Sequence, residues 1–363
     1  MNVDARAEAW ARLHLSGVPP RTLVDLLRAF GSPEGVLATT PAQRRHRVPA
    51  GVVALLDTAP DERRLAATLD WLREPGHDLV AWDDPDYPRS LLEIGDPPPV
   101  FYCMGRRDLL GVPAFAIVGS RNATPQGCAD AEAFASALSA VGFAIVSGLA
   151  IGIDAAAHRG GLARGGSSIA VVGTGLDRVY PARNRDLAHD LAARGLVISE
   201  FAAGTPALKQ NFPRRNRLVS GLARGVLVIE ATLRSGSLIT ARMAAEQGRE
   251  VFAVPGSIHS PFSKGPHKLI REGAKLVETA QDILDELQVP AKAPAAPAAT
   301  QLRSEPDAAA RVLIEALGYD PADVDTLAAR TGLSAAAVIA ALTTLELDRR
   351  VVALVGGRWQ RVV

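Results

Sequence analysis

The chain has 363 residues, 48% hydrophobic and 22% charged, an ordinary globular composition that excludes a disordered or collagen-like polypeptide. Lys and Arg total 40 against 39 Asp and Glu, a net charge of +1, so any affinity for polyanions must come from local clustering of cations. The two cysteines, Cys103 and Cys128, have no CxxC partner and no nearby His cluster, which argues against zinc or a disulfide framework and fits a reducing cytoplasm.

The N-terminal MNVDARAEAWARLHL contains acids and lacks the apolar core of a signal peptide, and no run approaches the ~18 apolar residues of a membrane span. A soluble, cytoplasmic protein without a membrane partner is expected. Residues 1–75 read as a helical domain, with breaks at Gly17-Val18-Pro19-Pro20 and Gly31-Ser32-Pro33 and no convincing strand. Its turn at Leu15-Ser16-Gly17-Val18 is similar to a helix-hairpin-helix or sterile-alpha-motif unit, although Pro19 replaces the second glycine of a phosphate-binding hairpin. DNA contact, protein contact and simple packing all fit such a unit.

Residues 76–288 carry two possible edge strands, Leu79–Trp82 and Val100–Met104, and then a βα alternation. Strands are expected at Phe115–Val118, Ala144–Val146, Ile169–Val172, Leu196–Ser199, Val226–Ile229, Val251–Val254 and Lys275–Val277, with helices between them. This is an α/β domain, a doubly wound parallel sheet larger than a minimal one, whose ligands should sit at the carboxyl ends of the strands. Residues 289–307 are Pro/Ala-rich and read as an extended linker. In residues 308–363, helices at Ala308–Leu317, Asp323–Ala329 and Ser334–Leu347 precede the strand pair Val351–Val355 and Arg358–Val362, the order of a winged helix. Its would-be recognition helix, SAAAVIAALTTLELDRR, offers few side chains for base readout.

Chemistry concentrates at the strand ends. In AFAIVGSRNATPQG a buried strand breaks at Gly119-Ser120-Arg121 before a helix, so helix-start amides and a planar guanidinium are expected to hold phosphate. The same punctuation recurs in VSGLAIGIDAAAH with Gly148, in VVGTGLDRVYPARN with Gly173, Arg183 and Asn184 followed by Arg185, and in VIEATLRSGSLIT with Ser235, Gly236 and Ser237. KQNFPRRNRLVSGLAR adds Lys209, Phe212, Arg214, Arg215, Asn216, Arg217 and Arg224 without an acid, the cation-plus-aromatic mixture of single-strand sites. Lys264 lies in a further basic turn, KGPHK, and the apolar Leu269 and Ile270 after it are candidates for a dimer interface. Gly173-Thr174-Gly175 fails as a dinucleotide fingerprint because Arg178 stands where the third glycine belongs, and no P-loop run exists. Asp154 and His158 are four apart, but no third ligand or nucleophile accompanies them, so Asp154 is expected to cap its helix. No catalytic residue, metal or cofactor is implied.

The texts VGSRNATPQG, SGLAIGIDAAAHRGGL, GTGLDRVYPARNRDL, FPRRNRLVSGLARGVLVIEATLRSGSLITARMAAEQGREVFAVPG and KGPHKLIREGAKLVE together resemble the DprA/Smf family of DNA-processing proteins over most of Ala114 to Glu278. The resemblance implies an extended Rossmann domain that binds single-stranded DNA, forms a homodimer and loads RecA onto strands, including SSB-coated DNA, in natural transformation and recombination. It places Gly119, Ser120, Arg121, Arg183, Arg185, Asn216 and Arg217 in the DNA pocket, with Ser235 to Ser237 nearby. The family is similar to lysine-decarboxylase-like nucleotide hydrolases, but RSGSLITAR lacks their glutamate at the expected spacing, which argues against phosphoribohydrolase activity.

Overall fold

The computed structural model describes residues 5–163, 167–289, 308–348, 350–354 and 356–362. The expected linker at 289–307 lies, apart from Val289, outside the described residues.

Six helices occupy residues 5–72, and their breaks are written locally. Gly17 and Gly31 take positive φ of +76° and +84°, a backbone region open to glycine. Ser32, Thr40 and Asp61 cap the helices that follow, and prolines occupy first-turn positions after Ser32 and Thr40. The apolar face built from Trp10, Leu13, Leu26 and Val36 closes on Ala81 and Val100, so the helices pack against one edge of the main sheet.

That sheet has nine strands: β1 (His77–Ala81), β2 (Val100–Gly105), β3 (Ala114–Val118), β4 (Ala144–Ser147), β5 (Ser167–Val172), β6 (Leu196–Ser199), β7 (Gly225–Val228), β8 (Glu250–Ala253) and β9 (Lys275–Leu276). Their order is β1-β2-β6-β5-β4-β3-β7-β8-β9. From β6 to β9 every pair is parallel, whereas β1–β2 and β2–β6 are antiparallel. Between β3 and β6 the chain steps one way along the sheet and then returns to the other side of β3 as β7. This reversal makes β3/β7 a switch point, where the following loops diverge and leave a crevice.

Both faces of the sheet are covered, which is why the strands read as unbroken apolar runs. On one face Ala116, Val118, Val226 and Val228 meet Leu218, Val219 and Leu238 from the helices Asn211–Leu222 and Ser237–Glu246. On the other face Phe115, Ile117, Ile145 and Phe252 meet Phe134, Leu138, Ala156 and Ala157 from the helices Pro125–Ala140 and Ile153–Leu162. These last two helices approach closely at Gly160, where a Cβ would stand 2.2 Å from the Glu132 carbonyl oxygen.

The C-terminal segment is a winged helix of three helices, Ala308–Leu317, Val324–Thr331 and Ala335–Leu347, around Leu313, Leu327, Val338 and Leu342. A short strand missed in the sequence, β10 (Ala322–Asp323), joins β12 (Arg358–Arg361), which pairs with β11 (Val351–Leu354) through a turn holding Gly356 and Gly357 at positive φ. Among the described residues no single helix is long and apolar enough to cross a membrane.

Candidate nucleic-acid interface

A cavity of about 620 Å³ opens at the switch point, lined by the loops after β3, β4 and β7 and by the helix Asn211–Leu222. Its geometry starts with glycines. At Gly119 a Cβ would lie 2.6 Å from Ile153 Cγ1, and at Gly152, with φ +79°, one would lie 2.3 Å from the Ser120 carbonyl oxygen. The two loops therefore interlock, and the Ile153 N–H donates to Ser120 O at 3.2 Å. Ser120 Oγ accepts from the Asn122 N–H at 3.1 Å. The N–H groups of Ser120 and Arg121 have no partner among the described residues, which leaves two donors on the cavity wall.

One part of the anion expectation needs correction. The amides at the start of the helix Pro125–Ala140 are not offered to a ligand: Thr124 Oγ1 accepts from Gly127 N, and both oxygens of Glu230 accept from Thr124 N and Oγ1 at 2.8 and 2.6 Å. A carboxylate already fills the place where a phosphate would sit at that helix start. A Cβ on Gly127 would fall 2.5 Å from the Glu230 carboxyl carbon, so the missing side chain makes this seat possible.

The helix Asn211–Leu222 sorts its cations by period. Phe212, Asn216 and Val219, at i, i+4 and i+7, line the cavity. Arg214 and Arg217, three apart, turn instead to the buried carboxylate of Glu200, whose Oε1 accepts from both, and Arg217 Nε also contacts Asp96 at 3.4 Å. Arg214 borders a second, smaller cavity beside His14 and the Gly17–Pro20 turn, and its guanidinium lies over Phe201 at 5.7 Å. The run without acids in sequence is thus paired with acids in space, and Arg214 and Arg217 do not join the cavity.

Arg215 is buried under the cavity floor. Its Nη1 donates to Gly148 O at 2.6 Å and to Val171 O, and Asp154 balances its charge. Burial lowers the Arg215 pKa to about 10, which keeps the cation at neutral pH. Burial raises Asp154, while Arg215 and the Gly148 and Ala150 amides oppose the rise. Asp154 does not cap its own helix, since Gly152 holds the cap position. Its Oδ2 accepts from Gly148 N and Ala150 N at 3.2 and 3.3 Å and so shapes the preceding loop. His158 is fully buried, accepts from Leu149 N at Nε2 (3.3 Å) and holds Ser168 Oγ at Nδ1 (2.7 Å). Both side chains of that pair are therefore spent on structure, and among the described residues no His/Cys/Asp/Glu group is placed to hold a metal.

On the opposite wall, Ser235 and Ser237 share a hydroxyl hydrogen bond of 2.7 Å at the start of the helix Ser237–Glu246. The Gly236 N–H has no partner among the described residues. Arg121, Lys209 and Arg234 line the cavity, are exposed and carry no ion pair among the described residues. Arg121 lies over the Phe212 ring at 5.9 Å, and Tyr180 packs on that ring at 5.4 Å.

The cavity thus gathers Gly119, Ser120, Arg121, Gly148, Phe212, Asn216, Ser235, Gly236 and Ser237, with Arg215 beneath. Other expected residues fall outside its lining. Arg183 and Arg185 are exposed, whereas Asn184 is buried and donates to Leu149 O at 2.9 Å, pinning that turn to the β4 loop. Gly173 lines nothing itself but gives Phe212 room, a Cβ there being 3.2 Å from its ring. Lys264 starts a helix, Lys264–Arg271, where a turn was expected, and its Nζ donates to Ile258 O. Leu269 is buried in the core and Ile270 is half-buried against it. Lys209 of the basic run is in the lining, and Tyr180, Thr232 and Arg234 join it without having been picked out individually, Arg234 standing directly before Ser235.

Fold and cavity define a Rossmann-like protein with a cation-lined cavity at a topological switch point. The family model described as DNA recombination-mediator protein A matches residues 78–288, and that of the DprA winged helix domain matches 291–357. The chain is 42% identical to Protein Smf of Escherichia coli (strain K12) over 300 residues, 81% of this chain and 80% of that one. It is 50% identical to DNA processing protein DprA of Streptococcus pneumoniae over 205 residues, 56% of this chain and 72% of the relative. The solved structure of the pneumococcal DprA superposes with a TM-score of 0.68 at 38% identity, covering 79% of this chain and 99% of that one. A structure of DNA processing protein A from Helicobacter pylori, described for its single-stranded DNA binding mode, superposes with a TM-score of 0.54 at 30% identity, covering 58% and 95%. The chain belongs to the DprA/Smf family of DNA-processing proteins.

Proposed function

We propose that this chain binds single-stranded DNA, with a backbone phosphate held in the β3/β7 cavity and no bond cut. The observation that carries this reading is the convergence of amides (Ser120, Arg121, Gly236) and cations (Arg121, Lys209, Arg234) that have no partner among the described residues around an aromatic pair, Phe212 and Tyr180. Amides and guanidinium hold phosphate whatever the sequence, and aromatic rings take unpaired bases. The single-strand binding described for the Helicobacter pylori relative supports the same assignment.

Within this reading the chain is a non-enzymatic, cytoplasmic recombination mediator without a cofactor. It acts as a homodimer that loads RecA onto single strands, SSB-coated ones included, in natural transformation. Two cavities on one assembly would add avidity along a strand. Arg183 and Arg185 extend the basic track beyond the cavity mouth. The rival reading, a nucleotide hydrolase, needs a carboxylate free to act, and the one at the end of β7, Glu230, has both oxygens engaged by Thr124.

The test is a salt titration with single-stranded and duplex oligonucleotides, because each phosphate contact on a single strand contributes about −0.7 to the slope of log K against log salt. Preference for the single strand and a slope reduced in Arg121→Ala are expected. Equal, weak binding of both forms refutes the reading, and free base released from nucleoside monophosphates favours the hydrolase.

A further inference from the structure

Exposed apolar side chains lie in the cavity lining or next to its residues in the chain, beside its cations. Tyr180, Leu208, Leu233 and Ile239 are between about a third and three fifths exposed, Leu233 the most at 58%. They come from three segments, Leu233 and Ile239 sharing the turn and helix that follow β7. Tyr180 and Ile239 are part of the lining, Leu208 precedes the lining Lys209, and Leu233 stands between the lining residues Thr232 and Arg234. Large aliphatic side chains held in water around one opening mark a surface that is covered when it works. Two of them sit directly before a cation, so the pattern alternates apolar and basic groups around the mouth.

We infer, resting on the phosphate reading above, that Leu208 and Leu233, with Tyr180 and Ile239, seat the unpaired bases on either side of the phosphate in the cavity. Charge complementarity selects this occupant: Leu208 and Leu233 each have beside them the cation that a neighbouring phosphate requires, Lys209 and Arg234, which a purely apolar protein partner would leave unpaired. The rim then supplies the distinction between strand forms. In a duplex the bases are stacked and paired inside the helix, and the rim meets only sugar and phosphate. In a single strand the bases can turn outward onto Leu208 and Leu233, so the contact depends on bases and is indifferent to salt. Arg121 supplies the complementary part, dependent on salt and indifferent to bases.

The experiment compares wild type with Leu208→Ala/Leu233→Ala on two labelled single strands of equal length, one normal and one with abasic sites through its centre. Both replaced side chains are exposed, so the fold is retained, and circular dichroism checks it. The double variant is expected to bind the normal strand about tenfold more weakly, to match wild type on the abasic strand, and to keep the wild-type salt slope. Wild type itself is expected to lose a similar factor on going from the normal to the abasic strand. Equal binding of both strands by both proteins overturns the inference, and the phosphate reading stands if Arg121→Ala still flattens the salt slope. Equal loss on both strands also overturns it, since the rim would then act on backbone. A changed sedimentation coefficient with unchanged DNA binding reassigns the rim to contact with a second copy of the chain and overturns it as well. If wild type binds neither strand, the phosphate reading fails first.

Discussion

Arg217 and Arg121 should separate cleanly when each is replaced by alanine. The Glu200 side chain is 2% exposed and Arg217 10%, while Arg214, the other cation on the same carboxylate, is 45% exposed. Removing Arg217 leaves a buried carboxylate facing one water-washed partner. Breaking a buried pair costs ~3–5 kcal/mol, and the surviving Arg214 places this case at the lower end, about 3 kcal/mol. Equilibrium unfolding in urea reads that loss directly. Adding Glu200→Gln in the Arg217→Ala background should recover part of it, because the orphaned charge is then gone. Affinity of the folded protein for a labelled single strand should stay within about twofold of wild type. Arg121→Ala is expected to do the reverse: stability within about 0.5 kcal/mol of wild type, and a salt slope smaller by ~0.7. An Arg217→Ala protein that keeps its stability and loses strand affinity with a flattened slope would refute the assignment of this arginine to structure.

Three further outcomes follow from the same geometry. Burial lowers the His158 pKa to about 3, with Arg215 and Arg159 adding to the effect, against ~6.5 in the unfolded chain. The unfolded state therefore binds the extra proton first, so His158 contributes stability fully above about pH 6.5 and loses it at up to ~1.4 kcal/mol per pH unit as the pH falls toward 3. His158→Gln should flatten that acid limb between pH 6.5 and 4.5 in urea titrations, and an unchanged limb would assign it to other groups. Gly152→Ala forces a Cβ to 2.3 Å from the Ser120 carbonyl at positive φ, and it should cost ~1–3 kcal/mol while weakening strand binding through the displaced Ser120-Arg121 amides. Wild-type affinity in a folded Gly152→Ala protein would remove those amides from the site. Glu230→Gln should destabilise by ~0.5–2 kcal/mol through the weakened tie to Thr124 and leave strand affinity alone, as measured by calorimetry and anisotropy.

The strand positions and the winged helix were legible because strands buried on both faces read as apolar runs and the turns between them carry Gly, Pro or Ser. The start of the helix Pro125–Ala140 was not, because its cap Thr124 is itself held through N and Oγ1 by Glu230, more than a hundred residues away, which a local reading of Asn122 to Gly127 does not see. The acids beside Arg214 and Arg217 escaped for the same reason, since Glu200 directly follows β6 and Asp96 precedes β2. The division among the three arginines was nonetheless present in the sequence. At about 100° per residue, Arg214 and Arg217 share a face of the helix Asn211–Leu222, Arg215 stands off it, and Phe212, Asn216 and Val219 share another. Counting basic residues in the run concealed what the helical period separates.

That separation explains how the proposed polyanion site tolerates a carboxylate in its lining. Asp154 is the one acidic side chain among the cavity residues, and its charge is spent inward on the Gly148 and Ala150 amides and on Arg215. The buried pair is close to neutral from outside, so on the proposed reading the field a strand meets comes from Arg121, Lys209 and Arg234, which have no carboxylate partner among the described residues. Had Arg215 reached the ligand, Asp154 would be left buried and unpaired, and the β4 loop carbonyls of Gly148 and Val171 would lose their donor. The helix Asn211–Leu222 therefore contributes an aromatic ring, an amide and the buried Arg215 to the cavity wall, while Arg214 and Arg217 hold the scaffold.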